Sequence, residues 1–291
     1  MPLSTILLVL LSAIIHASWN LIIRSRNLSR QFLRIPLLIG IIGLPPVLWL
    51  EWHGRALPGV VWGLLVVTGL FQACYYLGLA MGYQSGDFTV VYPLVRALPV
   101  LFIGLFDFLR GHAPSGVAWI GMILVAMGCL IIPHTTWRTL RWRAYGNRTI
   151  LWVVVAALGT VGYSAADKLA AEFVTPGAVD AARYFVLELI FCMPPFAVAL
   201  RLMGQPIGLQ PWRHGWGWPL LAACGTFLSY WLILWAYQGT DHASYVVAIR
   251  QISIVIGTIL GTMLFQEPAR GLRIPAAMLI TTGIIMVALG G

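Results

Sequence analysis

Apolar runs of about twenty residues, parted by short polar connections, fill this chain from end to end. Ten such runs lie near 3–23, 32–50, 58–82, 88–109, 115–133, 149–170, 181–200, 216–237, 243–265 and 273–290. A helix that crosses a ~30 Å hydrocarbon core needs about 20 residues. The pattern therefore predicts ten transmembrane helices and leaves almost nothing from which to build a soluble domain. Any function must lie inside the bundle. The first run opens Met1-Pro2-Leu3-Ser4 without a basic leader and continues well past a signal-peptide core, so it is expected to stay as a helix.

The polar residues between and inside the runs say one phrase twice. Tyr83-Gln84-x2-Asp87-x8-Arg96 returns 154 positions later as Tyr237-Gln238-x2-Asp241-x8-Arg250. The same offset pairs Trp62-Gly63 with Trp216-Gly217, Tyr76 with Tyr230 and Pro114 with Pro268. An offset of 149 pairs Arg34 with Arg183 and Pro45-Pro46 with Pro194-Pro195. Five runs per copy is an odd number, so the second copy enters the bilayer upside down relative to the first. The expected fold class is all-α integral membrane, with ten helices as two inverted five-helix repeats, a construction shared by many secondary transporters. Residues 1–133 form the first repeat, 134–148 a basic linker and 149–291 the second repeat.

Composition agrees with the pattern. Hydrophobic residues make up 60% of the 291 and charged residues 9%, against about 25% charged in a soluble domain. The net charge of +9 does not signal nucleic acid, because the basic residues sit in the connections between runs. Arg24, Arg26, Arg30, Arg138, Arg141, Arg143, Arg148, Arg201, Arg213, Arg270 and Arg273 fall on the linker side, against mainly Arg55 and Arg110 on the other. The positive-inside rule then makes the linker side cytoplasmic and puts both termini outside. Cys74, Cys129, Cys192 and Cys224 all lie within runs and lack CxxC spacing, so neither a disulfide framework nor a metal site is expected. No cofactor is implied.

Small and ring-bearing residues refine this picture. Trp49, Trp52, Trp137, Trp142, Trp152, Trp212, Trp216 and Trp218 cluster near the ends of runs, where indole rings anchor helices to the interface. Gly78-x3-Gly82-x3-Gly86 and Gly257-x3-Gly261 have the spacing that lets helix backbones approach. The two proline pairs remove backbone donors within their helices and are expected to bend them.

His16-Ala17-Ser18-Trp19-Asn20 in the first run, Gly86-Asp87-x4-Tyr92-Pro93-x2-Arg96 at the fourth, and Gln266-Glu267-Pro268 ending the ninth resemble the EamA family of the drug/metabolite transporter superfamily. The resemblance extends over essentially the whole chain. It implies a bundle in which helices 1–4 and 6–9 surround a central cavity while helices 5 and 10 buttress it from outside. It also implies secondary transport, frequently export, of amino acids or related small metabolites. One departure stands out: the first copy has Ala113-Pro114 where the second has Glu267-Pro268.

Charged residues at mid-span depth are the candidate chemistry. Arg96 lies about seven residues into its run, roughly 10 Å along the axis, and Arg250 lies at the matching depth. A charge at the bilayer centre costs at least about 2.5–3.5 kcal/mol, so it normally faces a bundle interior or a watery cavity. Helical spacing sets Tyr92, Pro99 and Ile103 beside Arg96, and Val246, Ser253 and Gly257 beside Arg250. Guanidinium forks hold carboxylate, phosphonate or phosphate groups bidentately, so at least one arginine is expected to receive a substrate anion. A structural ion pair is the competing role.

Among the acids, Glu188 lies mid-span and Asp167, followed by Lys168, lies near the end of its run. A carboxyl group whose surroundings alternate between dry protein and a nearby cation can carry a proton, which makes Glu188, then Asp167, then His16 the proton-coupling candidates. The alternatives are a fixed Glu188 pair with Arg183 or Arg250, and compensation of Asp167 beside Lys168. Asp87 and Asp241 open helices and are expected to cap them. Trp19, Tyr76, Tyr92 and Tyr230 offer aromatic faces to a substrate or its ammonium group, and Asn20 a polar group; packing alone explains each as well.

These features fit best a secondary active exporter of small polar metabolites, most of all amino acids or similar zwitterions, in a bacterial inner membrane. The partners expected are a small-molecule substrate, lipid and possibly protons, with a monomer sufficient to form the cavity. Phosphonates, other organic anions and lipophilic cations are alternative substrates. An intramembrane enzyme ranks far lower, since no HExxH, acidic metal cluster or nucleophile elbow is present, and so does a passive scaffold.

Overall fold

The structure, a computed structural model, describes residues 1–25, 33–53, 56–85, 88–132, 134, 148–205, 216–265 and 271–290, with the backbone alone at 20–25, 83–85, 88–94, 148 and 261–265. These residues form α1 (Leu3–Ser25), α2 (Arg34–Trp52), α3 (Gly59–Ser85), α4 (Phe88–Leu109), α5 (Gly116–Ile131), α6 (Arg148–Ala171), α7 (Ala178–Leu202), α8 (Gly217–Tyr237), α9 (Ala243–Arg250), α10 (Ile252–Phe265) and α11 (Arg273–Gly290), and no strand. A helix satisfies its own backbone groups, which is what an apolar sequence in lipid requires. Seven of the described stretches are long and apolar enough to cross a membrane, Ala243–Leu260 across the α9–α10 join among them. Nearly all of the linker, 135–147, lies outside the described residues, as do Asp87, Glu267 and Pro268, Trp137, Trp142 and Trp212.

The ninth predicted span is one run in sequence and two helices in the structure. Gln251 interrupts it directly after Arg250. The Gln251 side chain donates from Nε2 to the Val247 carbonyl at 2.8 Å, taking the acceptor that the α-helical ladder reserves for its own amide. That amide turns to Ala248 O at 3.1 Å, and Ile254 N to Gln251 O at 2.9 Å, so the chain tightens for one turn.

Helices α3 and α6, α5 and α11, α1 and α8, and α3 and α7 form the main contacts, and α2 also packs on α7. Glycine brings several of them to backbone contact. A Cβ on Gly78 would lie 2.6 Å from Ala156 N, and one on Gly159 2.6 Å from Tyr75 N, so α3 and α6 touch through the main chain. Gly257 behaves otherwise: a Cβ there would meet nothing, and the expected close packing is absent at this position. Gly121 meets Gly283 while Gly128 meets Ala276, so α5 and α11 run antiparallel. Gly40 lies by Met193 and Gly43 by Val186, which makes α2 and α7 antiparallel too. Both proline pairs sit inside continuous helices, α2 and α7.

Asp241 does not cap α9. The residue before that helix is His242, which offers no side-chain bond to its amides. Asp107 of α4 supplies the carboxylate instead, accepting from Ala243 N at 3.3 Å and from Ser244 N at 2.8 Å. A buried acid on a packed neighbour reaches the two free amides that a local side chain leaves open.

Candidate functional site

Asp167 is the centre of the buried polar cluster. It faces inward from α6 at 1% exposure. Its Oδ1 accepts from Thr68 Oγ1 of α3 at 2.7 Å and Tyr184 Oη of α7 at 3.0 Å; its Oδ2 accepts from Tyr230 Oη of α8 at 2.5 Å. Three hydroxyls from three helices thus hold one carboxylate, and hydrogen bonds to an ionised acid are among the stronger kind. Lys168 takes no part: its Nζ donates to Tyr237 O at 3.4 Å and pairs with Glu172 at 3.1 Å. The adjacent lysine does not compensate Asp167.

Arg250 stands next to this cluster. Its guanidinium carbon lies 5.0 Å above the centroid of the Tyr230 ring, the ring whose hydroxyl binds Asp167. Tyr230 is flanked by Phe185 at 5.1 Å and Tyr163 at 5.7 Å between centroids. Tyr163 meets Tyr75, and Tyr75 meets Tyr76, so an aromatic seam joins the repeat-related pair Tyr76 and Tyr230 through the core. Beyond Arg250, past the break in α10, Ser253 is buried with Oγ lacking a hydrogen-bond partner, and Gly257 looks onto open space.

Glu188, on α7, is 0% exposed and neither of its carboxylate oxygens has a hydrogen-bond partner. The pair with Arg183 suggested as an alternative does not form, because Arg183 bonds to Glu51 and to Asp180 at 3.4 Å. Glu188 makes no ion pair with Arg250 either.

Arg96 has a different setting. Its guanidinium contacts His16 Nε2. Guanidinium groups only donate, so Nε2 is the acceptor, and the imidazole is neutral with its proton on Nδ1. Trp19 packs edge-on to His16 at 5.1 Å and donates from Nε1 to Ser229 Oγ at 3.3 Å, a cross-link between α1 and α8. The side chains of Asn20 and Tyr92 lie outside the described residues.

The structure therefore brings together Asp167, Tyr230 and Arg250, sets Arg96 with His16, and buries Glu188 unpaired. Thr68, Tyr184 and Asp107 belong to these networks and carry no signal in the sequence beyond being polar groups in apolar runs. Among the described residues no group of three His, Cys, Asp or Glu side chains is placed to hold a metal.

Apolar helices long enough to span a bilayer, with acids and bases sealed among them, define a multi-pass membrane protein. Residues 3–133 match the family model of the EamA-like transporter family, which lies within the drug/metabolite transporter superfamily. A comparison with curated protein sequences finds no match. Solved structures do: one crystal structure aligns over 99% of this chain and 98% of its own, with a TM-score of 0.69 and 18% identity. At that identity the likeness speaks for the fold alone.

Proposed function

We propose that this protein is a secondary active transporter, working as an exporter of small polar metabolites, most of all amino acids or similar zwitterions. The observation that carries the reading is the presence, in one membrane-embedded core, of two buried charged groups lacking hydrogen-bond partners among the described residues, Nε of the Arg250 guanidinium and both oxygens of the Glu188 carboxyl. Burying either without a partner is costly, and a ligand with an acid and an amine answers both. At least one of Arg96 and Arg250 receives the anion, with Trp19, Asn20, Tyr76, Tyr92 and Tyr230 around it. Glu188 is the first candidate for carrying a proton, ahead of Asp167 and His16.

The halves 1–133 and 149–291, joined by 134–148, are read as inverted repeats that exchange access to a central cavity. The antiparallel pairs α2–α7 and α5–α11, each a helix with its repeat counterpart, support this. So does the correspondence between the α3–α6 and α1–α8 contacts, which exchange under the repeat. Loop charge supports a cytoplasmic linker with outward termini, and the reading places the protein in a bacterial inner membrane.

The test is counterflow in vesicles containing the purified protein, with labelled amino acids, phosphonates and organic cations. Saturable counterflow of a zwitterion is expected. Flux confined to lipophilic cations would overturn the substrate class, and turnover of a compound without a sealed vesicle would overturn transport itself.

A further inference from the structure

Resting on that transporter reading, we infer that Arg250, and not its repeat counterpart Arg96, receives the substrate's anionic group, and that Asp167 is the positioning residue for it, acting through Tyr230.

The two arginines are equivalent in sequence and unlike in space. Arg96 is engaged by the His16 ring. Arg250, at 8% exposure, has its Nε without a hydrogen-bond partner, makes no side-chain hydrogen bond or ion pair among the described residues, and lies over the Tyr230 face. Stacking on a ring leaves all five N–H donors of a guanidinium unused. Lysine or histidine could relieve such burial by losing a proton, but arginine stays charged. The described residues supply this fork no hydrogen-bond acceptor, and it suits a carboxylate or phosphonate held bidentately.

Asp167 is the obvious internal acceptor, and both of its oxygens already accept hydrogen bonds from hydroxyls. Thr68 and Tyr184 hold Oδ1 and Tyr230 holds Oδ2. Its role is to fix the Tyr230 ring at the angle on which Arg250 rests, with Phe185 and Tyr163 holding the ring from the sides. Asp167 thereby seats the arginine without a hydrogen bond to it. Open space lies just past the break, in α10, where Ser253 Oγ lacks a hydrogen-bond partner and a Cβ on Gly257 would meet nothing. The helix interruption at Gln251 follows directly, and broken helices recur at transporter binding sites.

The experiment is thermal unfolding of the full-length protein in detergent, with and without glycine, L-threonine, L-glutamate, acetate and methylphosphonate as probes. Variants are Arg250→Gln, Arg96→Gln, Asp167→Asn, Tyr230→Phe and Tyr230→Leu. Without ligand, Arg250→Gln should melt no lower than the parent, since it removes an unpaired buried charge, whereas Arg96→Gln should melt lower. With ligand, the stabilisation should vanish in Arg250→Gln and persist in Arg96→Gln. Asp167→Asn should weaken apparent affinity at least about tenfold. Tyr230→Phe, which keeps the ring, should bind better than Tyr230→Leu. A purely structural Asp167 would lower the midpoint and leave affinity unchanged.

The assignment is overturned if Arg250→Gln melts below the parent by as much as Arg96→Gln, if ligand still stabilises Arg250→Gln, or if Asp167→Asn binds normally. Should no probe stabilise the parent, the ligand-free midpoints alone decide. Absence of counterflow with the midpoint pattern intact would count against transport and leave the Asp167–Tyr230–Arg250 arrangement standing.

Discussion

Tyr230 and Asp167 share a hydrogen bond of 2.5 Å, and the same tyrosine ring carries the Arg250 guanidinium on its face. One side chain thus links an acid and a base that do not touch each other. The arrangement separates two buried carboxyls by function: Asp167 accepts from three hydroxyls, whereas neither Glu188 carboxylate oxygen has a hydrogen-bond partner among the described residues.

Asp167 should behave as a structural acceptor when its charge is removed. Asp167→Ala strips three buried hydroxyls of their acceptor, and each group left unsatisfied costs about 1–3 kcal/mol. Thr68→Val removes one donor and should cost about 1 kcal/mol. Thermal midpoints in detergent measure both, and an Asp167→Ala midpoint equal to the parent's would contradict the network.

Glu188 should behave in the opposite way. Glu188→Gln loses no hydrogen bond, so the variant is expected to fold with a midpoint at or above the parent's. If Glu188 carries the coupling proton, the variant cannot accumulate substrate against its gradient at the expense of a pH gradient, yet still exchanges substrate by counterflow. The two assays use the same vesicles. Retained proton-driven accumulation would remove Glu188 from coupling.

His16 is held in one protonation state by its partner. The Arg96 guanidinium has only donors to offer, so His16 Nε2 must accept, and a proton arriving there breaks the contact. His16→Gln retains an acceptor and should stay near the parent's stability. His16→Leu leaves a buried cation short of an acceptor, a loss of about 1.5–3 kcal/mol for a charged hydrogen bond. Equal midpoints for the two variants would show that the contact contributes nothing.

Hydropathy made the helices legible, since run lengths match a bilayer and most helix limits fall close to the runs. The depth of Arg96, Arg250, Glu188 and Asp167 was legible for the same reason. Their partners were not. Thr68 meets Asp167 from 99 positions away, and nothing local distinguishes that threonine from a packing residue. The repeat made Arg96 and Arg250 look interchangeable; only His16 on one side and a bare ring on the other separates them. The break at Gln251 was equally hidden, because it depends on a side chain competing with its own backbone for the Val247 carbonyl.

Backbone contact between α3 and α6 predicts where even a methyl group is too large. The added carbon of Gly78→Ala would meet Ala156 N and Trp152 O at 2.6 and 2.7 Å, and main-chain atoms of a packed helix cannot swing aside. Overpacking of this kind typically costs about 1–3 kcal/mol. Gly257→Ala meets nothing and should fold normally, so any loss of transport there reflects space taken from the ligand. Folded yield and thermal midpoint compare the pair; a Gly257→Ala protein less stable than Gly78→Ala would refute the open space.

The cap on α9 gives a prediction across the whole sequence. Its two free amides point at Asp107, a buried residue of α4 that lies 136 positions before Ala243, while Asp241 makes no cap bond. Losing a carboxylate cap costs about 0.5–2 kcal/mol, and here the amides left behind are buried, which puts the cost at the upper end. Asp107→Ala should therefore lower the thermal midpoint clearly and Asp241→Ala hardly at all. Asp107→Asn, which keeps one carbonyl acceptor, should fall between. Because Arg250 ends this eight-residue helix, a loosened start to α9 also reaches the substrate site, and Asp107→Ala should weaken ligand binding although its side chain lies away from the ligand. A midpoint lowered by Asp241→Ala and not by Asp107→Ala would return the cap to the local residue.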